Sequence, residues 1–361
     1  MNVAIACGGT GGHLFPGLAV AEVLQSRGHE VLLLISEKQI DATAVGSRTE
    51  FRIERIPAVG LTSAAPTQLL SFLAKFLSGL IVCLRVYRSF RPEAVLGMGG
   101  FTSTGPILAG RINGLPTFIH ESNAIPGKAN RLNAFLSREV LLGFKECSRY
   151  FPKKTVEVTG TPIRNSLREP VDREGALKNL RLKAGLRTVL VMGGSQGAHR
   201  INEAVVAVLH RFAGRNVQFI HLTGKQDENY VSKCYKMEGV PAFVSAFYDR
   251  MEEVYAVADL AIARSGAASL TELSYFDLPS ILIPYPFAAE NHQLFNAEIF
   301  AKHRVAEVLE ESRVNGDTLG SLIDHFLKNG VTSRPGAGTP CVYGPKTAAN
   351  RIVEIIEKSR E

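Results

Sequence analysis

Short apolar runs alternate along the chain with segments in which apolar residues recur at helical spacing. The first apolar run, Val3–Cys7, leads into the glycine-rich turn Gly8–His13, and helical spacing follows over Pro16–Arg27. A second apolar run, Val31–Ile35, comes after Gly28. Continuous apolar runs of this length predict strands that are buried on both faces, as in a parallel sheet. The pattern therefore predicts a β-α-β unit and an α/β fold.

The same order recurs in the second half of the chain. Thr188–Met192 is predicted to be a strand, Gly193–Gly197 a turn and Ala198–Phe212 a helix. Two halves that each begin with a strand, a glycine turn and a helix predict two Rossmann-like domains facing a central cleft. We place the boundary near Pro162, so that the domains are residues 1–162 and 163–344.

The stretch 263–297 combines several of these signals. Ser265 and Gly266 follow an apolar run, Ala267–Phe276 has a helical pattern, and Leu278–Pro284 is β-rich. A helix that begins after a glycine turn presents unpaired backbone N–H groups, which bind anions. A carboxylate in the early turns of this helix would compete with a bound anion. Glu272 is therefore better suited to accept hydrogen bonds from neutral hydroxyls, such as those of a ribose, than to contact the anion itself. The combination points to a nucleotide sugar.

The turn Gly8–His13 does not match a dinucleotide-binding fingerprint, because Leu14 stands where the third glycine of G-x-G-x-x-G should be. A nicotinamide-dependent enzyme is therefore disfavoured. His13, at the mouth of the turn, is a candidate general base, a role that contributes ~10²–10⁴ in rate. The alternative is that His13 only caps the helix or packs locally.

Two further segments after strands carry polar groups. The loop Gly97–Pro106 (GMGGFTSTGP) has glycines and hydroxyls that suit a backbone anion site, or else it is a tight turn. In His120–Arg131 (HESNAIPGKANR), Glu121 is a second candidate base. Asn123 is a candidate hydrogen-bonding partner for a sugar, or else it only forms a turn. Its basic residues can contact phosphate or form a solvated face.

The turn Gly193–Gly197 (GGSQG) admits two interpretations. Ser195 is suited to a phosphate oxygen, but the sequence also matches the G-x-S-x-G nucleophile elbow of esterases. A hydrolase would need an acid and a histidine downstream in the same domain, and here the turn opens a second Rossmann-like half. The hydrolase is therefore the less favoured interpretation.

Composition narrows the partners. A chain of 361 residues exceeds what one core usually supports, and its net charge of +7 favours acidic partners such as nucleotide diphosphates. The five cysteines form no C-x-x-C pair, which fits a reducing compartment and gives no zinc pattern. No D-x-D metal motif and no signal peptide are visible, and no apolar run reaches the ~20 residues of a membrane-spanning helix.

The segment Leu69–Arg91 is a long helical pattern with apolar residues around most of its surface and a basic end. Such a helix, too short to span a bilayer, can dip into a membrane face with Arg85 and Arg88 on anionic headgroups. A buried core helix is the equally supported alternative.

Together these motifs resemble the MurG family, bacterial GT-B glycosyltransferases that add N-acetylglucosamine to lipid I. The resemblance covers essentially the whole chain. It rests on GGTGGHLFPGLAVAE (8–22), GMGGFTSTGP (97–106), HESNAIPGKANR (120–131), GTPIR (160–164), GGSQGAHRIN (193–202) and the stretch 263–297. The resemblance implies a GT-B fold whose C-terminal helix, within 345–361, packs back on the first domain.

The resemblance also implies a donor, UDP-N-acetylglucosamine, held mainly by the second domain, and no cofactor or metal. Ser195 then contacts phosphate, Glu272 the ribose and Gln293 a sugar hydroxyl, while the backbone at Tyr248 reads uracil, where an aliphatic residue is more usual. His13 lies near the acceptor hydroxyl, with Glu121 as the alternative base. The remaining implied binding residues are Thr10, Gly11, Gly12, Asn123, Arg164, Ala267, Ala268, Ser269, Leu270 and Thr271.

The implied reaction is transfer to the 4-hydroxyl of the muramyl sugar of lipid I, with inversion at the anomeric carbon, for peptidoglycan synthesis. The implied location is the cytoplasmic face of the bacterial inner membrane, with anionic lipid and other wall-synthesis proteins as partners and no nucleic acid. Three alternatives stay open: a GT-B UDP-sugar transferase with another lipid acceptor, a UDP-N-acetylglucosamine 2-epimerase, and a membrane-docked nucleotide-binding protein without turnover.

Overall fold

The computed structural model describes residues 1–37, 50–57, 66–194, 197–328 and 345–360. The chain divides into two compact units. The first unit is Met1–Arg164 together with Val342–Glu361, and the second is Asn165–Cys341. Each unit has its own parallel sheet and its own core.

The described residues contain thirteen strands. They are β1 Asn2–Ala6, β2 Glu30–Ser36, β3 Arg52–Ile56, β4 Ala94–Gly97, β5 Thr117–Glu121, β6 Glu139–Leu142, β7 Thr155–Val158, β8 Arg187–Met192, β9 Val217–Leu222, β10 Ala242–Ser245, β11 Leu260–Ala263, β12 Ser280–Leu282 and β13 Ala306–Val308. The first sheet has the order β3-β2-β1-β4-β5-β6-β7 and the second the order β10-β9-β8-β11-β12-β13. All recorded pairings are parallel. The predicted fold of two Rossmann-like α/β units is confirmed.

Twelve α-helices lie between or after these strands in the described part of the chain. They are α1 Gly11–Ser26, α2 Pro66–Phe90, α3 Thr104–Ile112, α4 Lys128–Leu136, α5 Arg173–Asn179, α6 His199–Val206, α7 Glu228–Met237, α8 Met251–Val257, α9 Ala267–Tyr275, α10 His292–His303, α11 Gly316–Lys328 and α12 Pro345–Lys358. Short 3-10 turns cover Phe101–Ser103, Lys145–Tyr150, Asn165–Arg168, Leu209–Phe212, Ala289–Asn291 and Glu311–Arg313.

Two predicted helix boundaries are wrong. Helix α1 begins at Gly11, whereas the sequence suggested a start at Pro16, which lies buried inside the helix. Proline marks a helix start only as a tendency, and packing of α1 on the sheet outweighs it. In the second unit, α6 ends at Val206 and a separate 3-10 turn follows, so the predicted single helix Ala198–Phe212 is interrupted. The first correction places His13 in the opening turn of α1.

Helix α2 is longer than the sequence suggested. It has 25 residues, which is about 37 Å at 1.5 Å per residue, and Leu70–Phe90 is long and apolar enough to cross a membrane by length and composition. The prediction that no apolar segment reaches this length was therefore wrong. The end of the helix belongs to the core of the first unit, because Cys83, Val86 and Tyr87 are buried against its sheet. The beginning exposes a row of large apolar side chains.

Helix α12 belongs to the first unit although it follows the second unit in the chain. Its residues Ile352, Val353 and Ile356 are fully buried in the same core cluster as Leu18 and Leu24 of α1. Glu357 reinforces this packing, since its carboxylate accepts hydrogen bonds from Arg27 at 2.8 Å and from His29 at 2.8 Å. The apolar face of α1 is thus covered by a helix from the far end of the sequence.

Candidate active site

Parallel α/β sheets bind ligands at the carboxyl ends of the two strands between which the strand order reverses. In the first unit these strands are β1 and β4. Strand β1 continues into the turn before α1, and β4 continues into the loop that contains Gly99 and Gly100. The N-cap of α1, Thr10, makes no side-chain capping bond, and the first turn of α1 has no acidic residue. This end of α1 therefore retains the backbone donors and the positive potential that attract an anion.

His13 lies between these two loops. Its Nδ1 is 3.2 Å from the hydroxyl oxygen of Thr10. Its ring packs on Gly99 and Gly100, so closely that a β-carbon at residue 99 would be 2.9 Å from both Cδ2 and Nε2 of the ring. Both glycines have positive φ angles, +112° and +70°. The loop that contains Gly99 and Gly100, which the sequence predicts to bind an anion, thus also packs against the imidazole of His13.

We expect Gly99→Ala to lower kcat at least tenfold, because the new methyl group displaces the His13 ring. The control is Gly114→Ala, which also has a positive φ, at +70° compared with +112° for Gly99, but has open space around the position of its β-carbon. Both variants carry about 1–2 kcal/mol of backbone strain, so both lose some thermal stability. Steady-state kinetics separates the two effects. A control that lost as much kcat as Gly99→Ala would show that strain alone is responsible.

Glu121, the alternative base from the sequence, is buried at the end of β5 and fully engaged. Its Oε1 accepts from the backbone N–H and the side-chain amide of Asn123, at 2.9 and 3.0 Å. Its Oε2 accepts from the backbone N–H of Gly127 at 3.0 Å and from Asn130 Nδ2 at 2.9 Å. A carboxylate has about four acceptor positions, and four donors already face this one. The geometry favours a role in shaping the loop over a role as base.

His120 and Arg164 connect this loop to α1. Burial lowers the pKa of His120, so the ring is neutral, and its Nε2 bonds the carbonyl oxygen of Gly160 at 2.9 Å. Four residues further along, the guanidinium of Arg164 lies 4.4 Å above the ring of Phe15 in α1. A cation over an aromatic face is attracted by the ring quadrupole. The segment that carries Arg164 is therefore held beside the N-terminal part of α1.

In the second unit the strand order reverses between β8 and β11. Strand β11 is followed by Ser265 and Gly266, and α9 then begins at Ala267 with no side-chain cap and no acidic residue in its first turn. The hydroxyl of Thr271 donates to the carbonyl of Ala267 at 2.8 Å, within the helix. Ala268 and Ser269 are half-buried, whereas Ala267 and Leu270 are buried. The predicted anion site thus lies at an uncapped helix end.

Glu272 occupies the second turn of α9. The hydroxyl of Tyr255, a buried residue of α8, donates to Glu272 Oε2 at 2.7 Å. The same hydroxyl is 3.7 Å from the sulfur of Met192, the last residue of β8. The sequence alone does not predict the role of Tyr255, because no local motif indicates that α8 contacts a glutamate in the next helix.

The side-chain amide of Gln293 is oriented by the backbone. Its Oε1 accepts a hydrogen bond from the backbone N–H of Tyr285 at 3.0 Å. The NH2 group of the Gln293 side chain therefore points away from this contact as the donor. The carbonyl of Gln293 accepts from the hydroxyl of Ser265 at 2.7 Å, and Asn296 donates to the carbonyl of Ser265 at 3.2 Å. The start of α10 is thereby tied to the loop that precedes α9.

Tyr248 follows β10, and its hydroxyl donates to Glu253 at 2.5 Å. Burial and this hydrogen bond raise the pKa of Tyr248 to about 12, so it stays a protonated donor. Its ring meets Phe243 edge-on, with 5.3 Å between centroids. Ser195 lies outside the described residues. Within the described ranges there is no group of three or more His, Cys, Asp or Glu side chains arranged for a metal ion.

The sequence of this chain matches two known protein families. Residues 3–142 match the glycosyltransferase family 28 N-terminal domain, and residues 188–339 match the family 28 C-terminal domain. A protein of Halothermothrix orenii is 37% identical over 99% of this chain and 98% of its own length. It is named UDP-N-acetylglucosamine–N-acetylmuramyl-(pentapeptide) pyrophosphoryl-undecaprenol N-acetylglucosamine transferase.

Two solved structures share the fold. MurG of Acinetobacter baumannii superimposes with a TM-score of 0.73 at 24% identity and covers 99% of both chains. A putative UDP-N-acetylglucosamine 2-epimerase from Listeria monocytogenes gives a TM-score of 0.72 at 14% identity, over 100% of this chain and 96% of its own. At these identities the likeness concerns the fold alone, so a transferase and an epimerase can share it.

Proposed function

The chain belongs to glycosyltransferase family 28, and on that premise we propose that it transfers N-acetylglucosamine from UDP-N-acetylglucosamine to undecaprenyl-pyrophosphoryl-N-acetylmuramyl-pentapeptide, known as lipid I. The product is lipid II, the precursor of peptidoglycan. The chain is an N-acetylglucosaminyltransferase, as the full-length match to relatives of that activity supports.

The observation that carries the proposal is the placement of Glu272 one turn behind the uncapped N-terminus of α9, at the reversal point of the second sheet. Backbone N–H groups there suit a diphosphate, and a carboxylate one turn further suits ribose hydroxyls. We assign the diphosphate to Ala267–Thr271 and Ser195, the ribose to Glu272 and a hydroxyl of the sugar to the amide of Gln293. The backbone at Tyr248 is assigned to uracil.

The transfer is a single displacement. His13 takes the proton from the 4-hydroxyl of the muramyl sugar as that oxygen bonds to the anomeric carbon, and the bond from this carbon to the β-phosphate oxygen breaks. Because the oxygen attacks opposite to the leaving group, the configuration inverts. Helix N-termini and Arg164 stabilise the negative charge that develops on UDP. Thr10, Gly11, Gly12 and Asn123 complete the assigned binding residues.

The test is transfer of radiolabelled N-acetylglucosamine from its UDP donor to a lipid I analogue. We expect labelled lipid product only when both substrates are present. A control without acceptor tests the epimerase, which would convert the donor to its 2-epimer on its own. UDP binding without turnover would identify a nucleotide-binding protein instead, and turnover with another prenyl-linked sugar but not lipid I would identify a different transferase.

We propose further that α2 docks the enzyme on the cytoplasmic face of the inner membrane, where its lipid acceptor resides. Leu70, Leu73, Leu77 and Ile81 recur at helical spacing and are between 44% and 68% exposed. Arg85 and Arg88 are exposed on the same helix, which suits anionic headgroups. The buried face of the second half of α2, with Cys83, Val86 and Tyr87, anchors this surface to the first unit, which supports a peripheral attachment.

We expect Arg85→Glu with Arg88→Glu to weaken binding to vesicles that contain phosphatidylglycerol by about 30-fold or more. The estimate takes about 1 kcal/mol for each lost basic residue. Vesicle co-sedimentation at constant salt measures it. The matched control is Lys233→Glu with Lys236→Glu, which makes the same charge change at the same spacing on the exposed face of α7 in the second unit. Equal losses in both double variants would reduce the effect to net charge.

A further inference from the structure

We propose that Tyr255 is a positioning residue for ribose recognition, acting through Glu272. The inference rests on the proposed function, in which Glu272 binds the ribose of the UDP donor. Its structural basis is the 2.7 Å hydrogen bond from the Tyr255 hydroxyl to Glu272 Oε2.

Glu272 needs such support because of its place in the fold. It lies on a half-buried turn of α9, and its side chain has three rotatable bonds. A flexible carboxylate must lose rotamer entropy whenever it fixes a ligand hydroxyl. A neutral donor that holds one oxygen reduces that loss before the ligand arrives, and it does so without adding a competing cation.

Tyr255 is itself held firmly. Its ring is 2% exposed and stacks on Phe276 with 5.0 Å between centroids and an interplanar angle of 26°. Phe276 directly follows α9. The ring contact and the hydrogen bond therefore hold α8 against two residues, Glu272 and Phe276, that are four positions apart. A buried tyrosine hydroxyl requires a hydrogen-bond partner, and Glu272 provides it.

The hydroxyl also lies at the reversal point of the sheet. Its distance of 3.7 Å from the sulfur of Met192 places it where β8 ends and the turn at Gly193 begins. The Tyr255 hydroxyl therefore makes two contacts. One is with Met192, at the end of the strand before the glycine turn, and the other is with the carboxylate of Glu272, which we assign to the ribose. We infer that it sets the position of Glu272 relative to the phosphate-binding part of the site.

Tyr255→Phe tests this directly, since it retains the ring and removes only the hydroxyl. We expect the Kd for UDP, measured by calorimetry, and the KM for UDP-N-acetylglucosamine to rise about fivefold to tenfold, which is the effect of losing one ordinary hydrogen bond. We expect kcat to change less than twofold. The preference for UDP over 2′-deoxy-UDP should shrink, which a general loss of stability would not cause.

The matched control is Tyr275→Phe, which removes a hydroxyl from a tyrosine of α9 that also contacts Phe276. A second comparison repeats Tyr255→Phe in a Glu272→Ala background, where it should have no further effect on UDP affinity. Unchanged UDP affinity in Tyr255→Phe, or an equal further loss in the Glu272→Ala background, would overturn the inference. If Glu272→Ala itself leaves UDP affinity unchanged, the assignment of the ribose site fails instead.

Discussion

Replacing His13 by alanine is expected to lower kcat by ~10²–10⁴, the contribution of a positioned general base. The reason is the geometry around the ring, which is bonded to Thr10 and seated on Gly99 and Gly100, so that one orientation is selected. The KM for UDP-N-acetylglucosamine should change little, because the donor is assigned mainly to residues of the second unit. Steady-state kinetics with a lipid I analogue measures both constants.

His13→Gln provides the sharper comparison, since glutamine can hydrogen-bond Thr10 but cannot take up a proton at neutral pH. We expect its kcat to be as low as that of the alanine variant. Histidine must be neutral to act as a base, so the acidic limb of the wild-type pH–rate profile should flatten in His13→Gln. A kcat near the wild-type value in either variant would leave His13 with a packing role only.

Replacing Glu121 by alanine is expected to lower the free energy of unfolding of the first unit by about 3–5 kcal/mol. Four N–H donors, two from Asn123 and one each from Gly127 and Asn130, lose their acceptor inside the protein. Unsatisfied buried donors and the loss of a buried, hydrogen-bonded charge carry costs of this size. Chemical denaturation followed by circular dichroism measures the change.

Glu121→Gln separates a structural carboxylate from a catalytic one. In one orientation its NH2 group faces the backbone N–H of Asn123, and in the other it faces that of Gly127. Either way two donors meet, so we expect a loss of about 2–3 kcal/mol. Glu30→Gln, at the exposed first position of β2, is the control and should stay within about 0.5 kcal/mol. A fully stable but inactive Glu121→Gln enzyme would restore Glu121 as the base.

The fold was predictable because its strands carry an unusually direct signal. Runs such as Val3–Cys7 and Leu260–Ala263 are continuous and apolar, since parallel strands are covered on both faces. The glycine turns after them are equally local. The start of α1 was misplaced because Pro16 is a strong local signal, whereas the packing that extends the helix back to Gly11 is not local.

Local sequence marks only some residues of the candidate site. His13 and Glu272 stand beside glycine turns, so the pattern itself directs attention to them. The residues that contact them are not marked in this way. Gly99 and Gly100 lie beside His13, and Tyr255 lies beside Glu272, only because of the order of strands in each sheet. Strand order is set by three-dimensional packing, which one sequence does not display. A motif can therefore mark a candidate base or carboxylate, but it does not show which groups orient that side chain.

The interrupted first unit has a consequence for biosynthesis. A ribosome delivers β1 and α1 first, but α12, which covers Leu18 and Leu24, is delivered only after the entire second unit. Until then the apolar face of α1 has no cover from α12, and a nascent chain that stalls before residue 345 leaves it open to chaperones and to aggregation. The second unit is continuous in sequence and can fold while it emerges. Synthesis of α12 is thus the event that allows the first unit to complete its core.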